Sequence, residues 1–315
     1  MALAFIAPGQ GAQFVGMGME LAKSYPQSRS VFEEVDDALG ENLSDLIWYG
    51  SIEDLTLTEN AQPALMATTL AVFRALQSEG LKLSDAKFVA GHSLGEYSAL
   101  AMAESLSISD AAKLLRIRGR AMQNAVPVGV GAMAAILGLP YTDLVEITKQ
   151  AAINGVCQAA NDNDPSQVVV SGHKGAVERA IEIAKEAGAK RAILLPVSAP
   201  FHSELMAPAS LEMKDALSTI SIIEPTIPLV SNVRAQAVRL PAEIRSLLVE
   251  QVTGVVRWRE SIEWMANNGV TEMLEIGAGR ALSGMVRRIN RSISCASASN
   301  PDEVTKVILS QSEIR

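Results

Sequence analysis

A chain of 315 residues with 48% hydrophobic content is long enough for one large domain or two smaller ones with a sizeable core. Its formal charge is −8 and no basic stripe offsets it, which argues against nucleic acid as a partner. Two cysteines, Cys157 and Cys295, stand in neither ligand nor redox spacing, no apolar run reaches spanning length, and the N-terminal MALAFIAPGQG lacks the basic flank of a signal segment. A cytoplasmic protein with no disulfide framework and no membrane contact is expected.

Taken in chain order, residues 3–7 read as a buried first strand, stopped by Pro8-Gly9. Helical patterns follow at 16–25, 28–39 and 42–48, and Pro63 stands where a helix over 64–78 would begin. A strand is predicted at 87–90, a helix from Leu94 to about Ser105, and another over 109–124 with Asp110 in its first turn. The stretch 126–131 marks a boundary. Beyond it come a strand at 132–138, a helix at 142–153, strands at 156–160 and 167–171 joined by a polar turn at 161–165, a helix at 174–187 and a strand at 191–197. That order, β-α-β-β-α-β, is the ferredoxin-like pattern. Larger α/β material resumes at Ser198, so the expectation is an α/β protein with a mainly parallel sheet in 1–126 and 198–315 and a small domain inserted at 127–197.

Gly91-His92-Ser93-Leu94-Gly95 fits G-x-S-x-G at a strand-to-helix joint. The sharp turn forces its central residue into a strained backbone region and leaves room only for small residues two positions away. It lifts the Ser93 hydroxyl out of the sheet and aims the Leu94 backbone N–H at the same space, where an oxyanion would be stabilised. A serine nucleophile needs a base. Of the three histidines, His92 should point away from the hydroxyl and pack under the turn. His173 falls at a strand–helix turn as a solvated loop residue. His202, where the chain returns to the large domain, is left as the base. Asp162, Asp164 and Glu178 lie between serine and histidine in chain order, but none follows a strand of the main sheet, which leaves the third member open; a backbone carbonyl can hold the imidazole tautomer in place of an acid.

In LLRIRGRAMQ, Leu114, Arg118 and Met122 share one helix face, while Arg116 and Arg120 fall nearly opposite as surface charges. An inward Arg118 needs a partner, either an internal carboxylate or a carboxylate on the substrate. Gly277-Ala278-Gly279, after a strand at 272–276, lacks the third glycine of a dinucleotide fingerprint and reads as a tight turn. His202-Ser203-Glu204 makes a poor metal site, and no metal is expected.

Several separated stretches agree with one family. Pro8-Gly9-Gln10-Gly11-Ala12-Gln13, Gln62-Pro63-Ala64, Gly91-His92-Ser93-Leu94-Gly95-Glu96, Arg118-Gly119-Arg120-Ala121-Met122-Gln123, Gly131-Ala132-Met133-Ala134-Ala135, Phe201-His202 and Ser231-Asn232-Val233 resemble the malonyl-CoA:acyl carrier protein transacylases of bacterial fatty-acid synthesis. The resemblance implies an α/β-hydrolase-like large domain carrying a ferredoxin-like insertion. It implies Ser93 as the acylated nucleophile, His202 as its base, and the backbone N–H groups of Gln10 and Leu94 as the oxyanion hole. Arg118 would clamp the malonyl carboxylate, and the main-chain carbonyl of Gln251 would steady the histidine. Gln62, Asn161 and Asn232 would line the pocket. Malonyl-CoA and acyl carrier protein are the implied partners, the coenzyme A thioester is substrate with no further cofactor, and a monomer is expected. A serine thioesterase using water as acceptor and a non-catalytic carrier-binding module are the competing readings. Phe201, the residue before the histidine, accompanies malonyl in related modular synthases. The paired Asp162 and Asp164 have no assigned role.

Overall fold

The computed structural model describes residues 2–197 and 199–312. Ser198, the expected return point, lies outside them, as do residues 313–315 of the expected large domain. The strands are β1 (Ala2–Ala7), β2 (Ala86–Gly91), β3 (Gly131–Leu137), β4 (Cys157–Asp164), β5 (Gln167–His173), β6 (Arg191–Leu194), β7 (Leu229–Val230), β8 (Ala237–Val238), β9 (Val270–Ile276) and β10 (Ser294–Ala298). One sheet has the order β10-β9-β1-β2-β7-β8, parallel throughout except for the antiparallel edge strand β8. Its two central strands, β1 and β2, are near-continuous apolar runs, as strands covered on both faces must be. The second sheet is antiparallel, with order β4-β5-β3-β6.

The second sheet is built from the segment that the strand–helix rhythm singled out, and its alternation sets how it sits. Met133 and Ala135 of β3 join the main core with Ala160 and Val169. Ala134, Ile136, Val168 and Val170 point the other way, under the helices Tyr141–Ala151 and Lys174–Glu186. One face of the small sheet therefore closes over the large one, and a cleft forms along that seam.

Four expectations need correction. The polar stretch at 161–165 is not a turn: β4 runs to Asp164 and the chain reverses at Pro165-Ser166. Asp164 braces the reversal by accepting from the Ser166 N–H and hydroxyl at 2.8 and 2.6 Å, and both aspartates also have distant partners. Asp162 and Asp164, both about 1% exposed, pair with Arg259 at 2.8 Å and Arg288 at 2.9 Å, and the Asp162 N–H donates to the Val256 carbonyl. The two ion pairs tie the small sheet to helices Trp258–Asn267 and Ala281–Ile289 of the large one. Unpaired, each carboxylate would carry a desolvation penalty of several kcal/mol.

Pro63 does not begin its helix, which runs from Thr58 to Ser78. A proline there leaves the Glu59 carbonyl without its helical N–H. The guanidinium of Arg116 supplies the missing donor at 2.8 Å. Arg116 is accordingly no surface charge: it is 5% exposed and also bonds Asn60 and Glu41. Arg120, more exposed, pairs with Glu59. Finally, β6 stops at Leu194, two residues before Pro196, which has no N–H to continue the ladder. No helix among the described residues is long and apolar enough to cross a membrane.

Candidate active site

β2 runs into helix Gly95–Met102 through a three-residue turn, and Ser93 sits in it at φ 53°. That left-handed conformation costs a non-glycine residue roughly 1–3 kcal/mol. The flanking glycines are sterically required. A Cβ on Gly91 would lie 1.9 Å from the Gly95 carbonyl oxygen, and one on Gly95 would lie 2.5 Å from that of Ala7. The turn is braced from behind by Asn232, whose Oδ1 accepts the Ser93 N–H at 2.8 Å and whose Nδ2 donates to the Gly91 carbonyl at 2.7 Å. Asn232 is fully buried and does not line the cavity, a correction to its expected place as a pocket residue.

His202 approaches from the chain that follows the small sheet, its own φ at 56°. Its Nε2 is 2.8 Å from Ser93 Oγ, and its Nδ1 is 2.9 Å from the Gln251 carbonyl oxygen. A carbonyl can only accept, so Nδ1 carries the proton and Nε2 is left to accept one from the serine. Among the described residues, no carboxylate bonds this imidazole. Burial, reinforced by the charge of Arg118, lowers the imidazole to about 3. Two consequences share one sign. The unfolded chain protonates this histidine near 6.5 and the folded one near 3, so between those values its contribution to stability rises with pH. The neutral base also persists well below pH 6.5. The kcat/KM profile for the acyl donor should therefore show no His202 limb near that value, and a protonation limb at 6–7 that moves with changes at His202 would contradict it.

Arg118 lies on the inward face of helix Ile108–Asn124, 1% exposed. One terminal nitrogen donates to Gln62 Oε1 at 2.7 Å. The other donates to Ser93 Oγ at 3.1 Å and to Gln251 Oε1 at 2.9 Å. Its Nε has no partner among the described residues, and the guanidinium lies 5.9 Å from the centre of the Tyr97 ring. Every acceptor it reaches is neutral. A buried cation held by neutral oxygens, with a hydroxyl beside it, is prepared for an anion.

These side chains open into a cavity of about 370 Å³ along the seam of the two sheets. Gln10, Gln62, Asn161 and Phe201 line it with Ser93, Arg118 and His202. Gln251 stays behind the histidine, fully buried. Gln62 is itself positioned by Thr58 Oγ1, which bonds Gln10 Oε1 as well. Among the described residues, no acceptor takes the backbone N–H of Leu94 or of Gln10. His92 points away from the hydroxyl, as its alternation requires: its Nε2 meets Asn163 Oδ1 at 2.9 Å and its ring lies against Trp258. His173 is not simply solvated, since its Nδ1 accepts the Val156 N–H at 2.9 Å. Sequence reasoning missed Asn163, whose link to His92 joins the small sheet to the nucleophile turn. Its place one residue beyond Asp162 on a strand facing the cleft would have been the signal, had β4 been read to its end.

A serine on a strained strand–helix turn, with a neutral histidine on its hydroxyl, defines a serine acyltransferase or hydrolase. Residues 4–304 match the family described as "Acyl transferase domain". The chain is 46% identical over 307 residues to "Malonyl CoA-acyl carrier protein transacylase" of Bacillus subtilis (strain 168), covering 97% of this chain and 96% of that one. It superposes on an acyl-carrier-protein S-malonyltransferase from Bartonella henselae with a TM-score of 0.96 and 53% identity, covering 98% of this chain and 99% of the other. A malonyl-transacylase solved in complex with a type II PKS acyl-carrier protein superposes with a TM-score of 0.95 at 39% identity, covering 98% of this chain and 100% of that one. The chain belongs to the acyl transferases and, among them, to the malonyl-CoA–acyl carrier protein transacylase family.

Proposed function

We propose that this enzyme moves a malonyl group from malonyl-CoA to the phosphopantetheine thiol of acyl carrier protein, through a malonyl ester on Ser93. The observation that carries the reading is the meeting at one hydroxyl of a neutral imidazole and a buried guanidinium with no carboxylate hydrogen-bonded to it.

In the first half-reaction, His202 Nε2 takes the Ser93 proton as Oγ attacks the thioester carbonyl. The oxyanion that develops lies within reach of the Leu94 and Gln10 N–H groups, with the N-terminus of helix Gly95–Met102 behind them. Collapse breaks the C–S bond, and the imidazolium returns its proton to the departing coenzyme A sulfur. In the second half, the carrier thiol gives its proton to His202, attacks the ester, and the proton returns to Ser93. Each step moves a proton or an acyl group, and neither a metal nor a redox cofactor has a part to play in it. Arg118 selects the acyl group by its free carboxylate and holds the chain so that the thiol is favoured over water. Gln62 and Asn161 shape the pocket around that carboxylate.

In architecture this reading makes 1–126 and 198–315 an α/β-hydrolase-like catalytic domain and 127–197 a ferredoxin-like insertion. The order β4-β5-β3-β6 with two helices on one face supports the second of these. The same reading takes the protein to act in the cytoplasm as a monomer, and the formal charge of −8 argues against nucleic acid as a partner.

Intact-protein mass spectrometry after mixing with malonyl-CoA tests the proposal. A malonyl adduct on the Ser93 peptide that persists in buffer and is discharged by acyl carrier protein is expected. Rapid discharge by water alone would make the protein a thioesterase, and the absence of any adduct would leave it a binding module.

A further inference from the structure

Glu96 is a buried carboxylate that the reaction above does not use. It sits in the first turn of helix Gly95–Met102, three residues after the nucleophile, and is 1% exposed. One of its oxygens accepts the Asn232 backbone N–H at 3.2 Å, and the other accepts from Gln251 Nε2. The same Gln251 side chain turns its Oε1 to Arg118 at 2.9 Å. A single amide thus joins carboxylate to guanidinium, and its orientation is set from both ends: the nitrogen must face Glu96 and the oxygen must face Arg118.

Among the described residues, no ion besides Arg118 faces this carboxylate. Tyr97, next on the helix, is fully buried, and burial pushes its hydroxyl up, so it stays neutral. β1 and β7 carry no charged residue, and Lys87 of β2 reaches out to the Asn268 carbonyl. On the helix Thr58–Ser78, Glu59 pairs with Arg120 and Arg74 bonds Gln77 at the surface. On the helix Pro241–Gln251, Glu243 pairs with Arg234, Arg245 donates to the Ile220 carbonyl, and Glu250 is exposed. Arg118 is the charge that faces Glu96.

We propose that Glu96 is the resting counter-ion of Arg118, and that it gives up that part by taking a proton from solvent when an acyl group with a free carboxylate enters. The inference rests on the reading of Arg118 as the carboxylate clamp. Above pH 7, in the empty site, the buried charges cancel, +1 on Arg118 against −1 on Glu96. A substrate carboxylate leaves the cluster at −1 unless one proton arrives. His202, lowered to about 3, does not take it. Burial already pushes Glu96 up to about 7, which puts its protonation within reach at neutral pH. The Ser231 hydroxyl lies beside this carboxyl: as a donor it favours the carboxylate, and by turning its O–H away it can accept the proton of a neutral Glu96. An acetyl group brings no charge and should draw no proton.

Calorimetric titration of Ser93→Ala protein in buffers of different ionisation enthalpy reads the proton directly, because acyl transfer is blocked. At pH 7.5 malonyl-CoA should bind with uptake of about half a proton or more, and acetyl-CoA with close to none. The malonyl-dependent uptake should vanish at pH 5.5, where Glu96 is protonated beforehand, and in Ser93→Ala/Glu96→Gln protein. Equal uptake with both ligands, or uptake that persists at pH 5.5, overturns the proposal even if the double variant fails to fold. Selective malonyl-CoA binding with no uptake overturns this inference alone. Malonyl-CoA binding no tighter than acetyl-CoA overturns the clamp and this inference with it.

Discussion

Arg118→Ala should lower kcat/KM for malonyl-CoA by about 10²–10³-fold and leave acetyl-CoA relatively favoured. The size follows from losing one side of a buried, charge-assisted, hydrogen-bonded pair, which costs roughly 2–5 kcal/mol, or about 30- to 4,000-fold. The direction follows from the carboxylate, which only the malonyl group has. Truncation also strips the donor from Gln62 Oε1 and Gln251 Oε1, both in the buried interior. Some loss of stability is therefore expected as well, about 1–3 kcal/mol for each acceptor left dry. Steady-state kinetics with the two thioesters in parallel separates the effects. Equal losses for malonyl and acetyl would reduce Arg118 to a structural part. Arg118→Lys keeps the charge but cannot fork to Gln62 and Gln251 together, and should recover only a fraction of the malonyl rate.

His202→Ala should slow acylation of Ser93 by about 10²–10⁴-fold, the usual contribution of a positioned general base. The side chain is fixed at both nitrogens, 2.8 Å from the hydroxyl and 2.9 Å from the Gln251 carbonyl, so no neighbouring histidine can substitute. His92 is committed to Asn163 on the far side of the turn. Stopped-flow or quenched mass spectrometry of adduct formation would measure the effect at the first half-reaction. An acylation rate within a few-fold of the intact enzyme would remove His202 from the chemistry. The backbone acceptor at Gln251 cannot be deleted by a side-chain change, which makes this part of the dyad hard to break by single substitution.

The nucleophile turn was legible because its constraint is local. Gly91 and Gly95 are four residues apart, and the clash that excludes any larger residue at Gly91 involves the Gly95 carbonyl itself. Helical periodicity likewise placed Arg118 inward, since position on a face needs only the 3.6-residue repeat. The same reasoning failed for Arg116. Its face is covered by a helix whose proline leaves a carbonyl in need of a donor, and no pattern along its own helix records that. The polar run Asn161–Asp164 misled for a related reason. Asn and Asp favour turns when nothing else satisfies them. Here Asp164 does brace the reversal, accepting from Ser166, but both aspartates are also held by Arg259 and Arg288, 97 and 124 residues further on.

The amino-acid sequence by itself determined the strand–turn–serine–helix unit, the inward arginine and the alternating strand–helix rhythm, because each is set by sterics or periodicity over a few residues. The tertiary structure decided which carbonyl holds the histidine, that Asn232 braces the turn rather than lining the pocket, and that Glu96 and Arg118 share one amide. Those contacts join residues 49 to 155 positions apart. Their geometry exists only once the two sheets have closed on each other, and burial there is what gives the charges their strength.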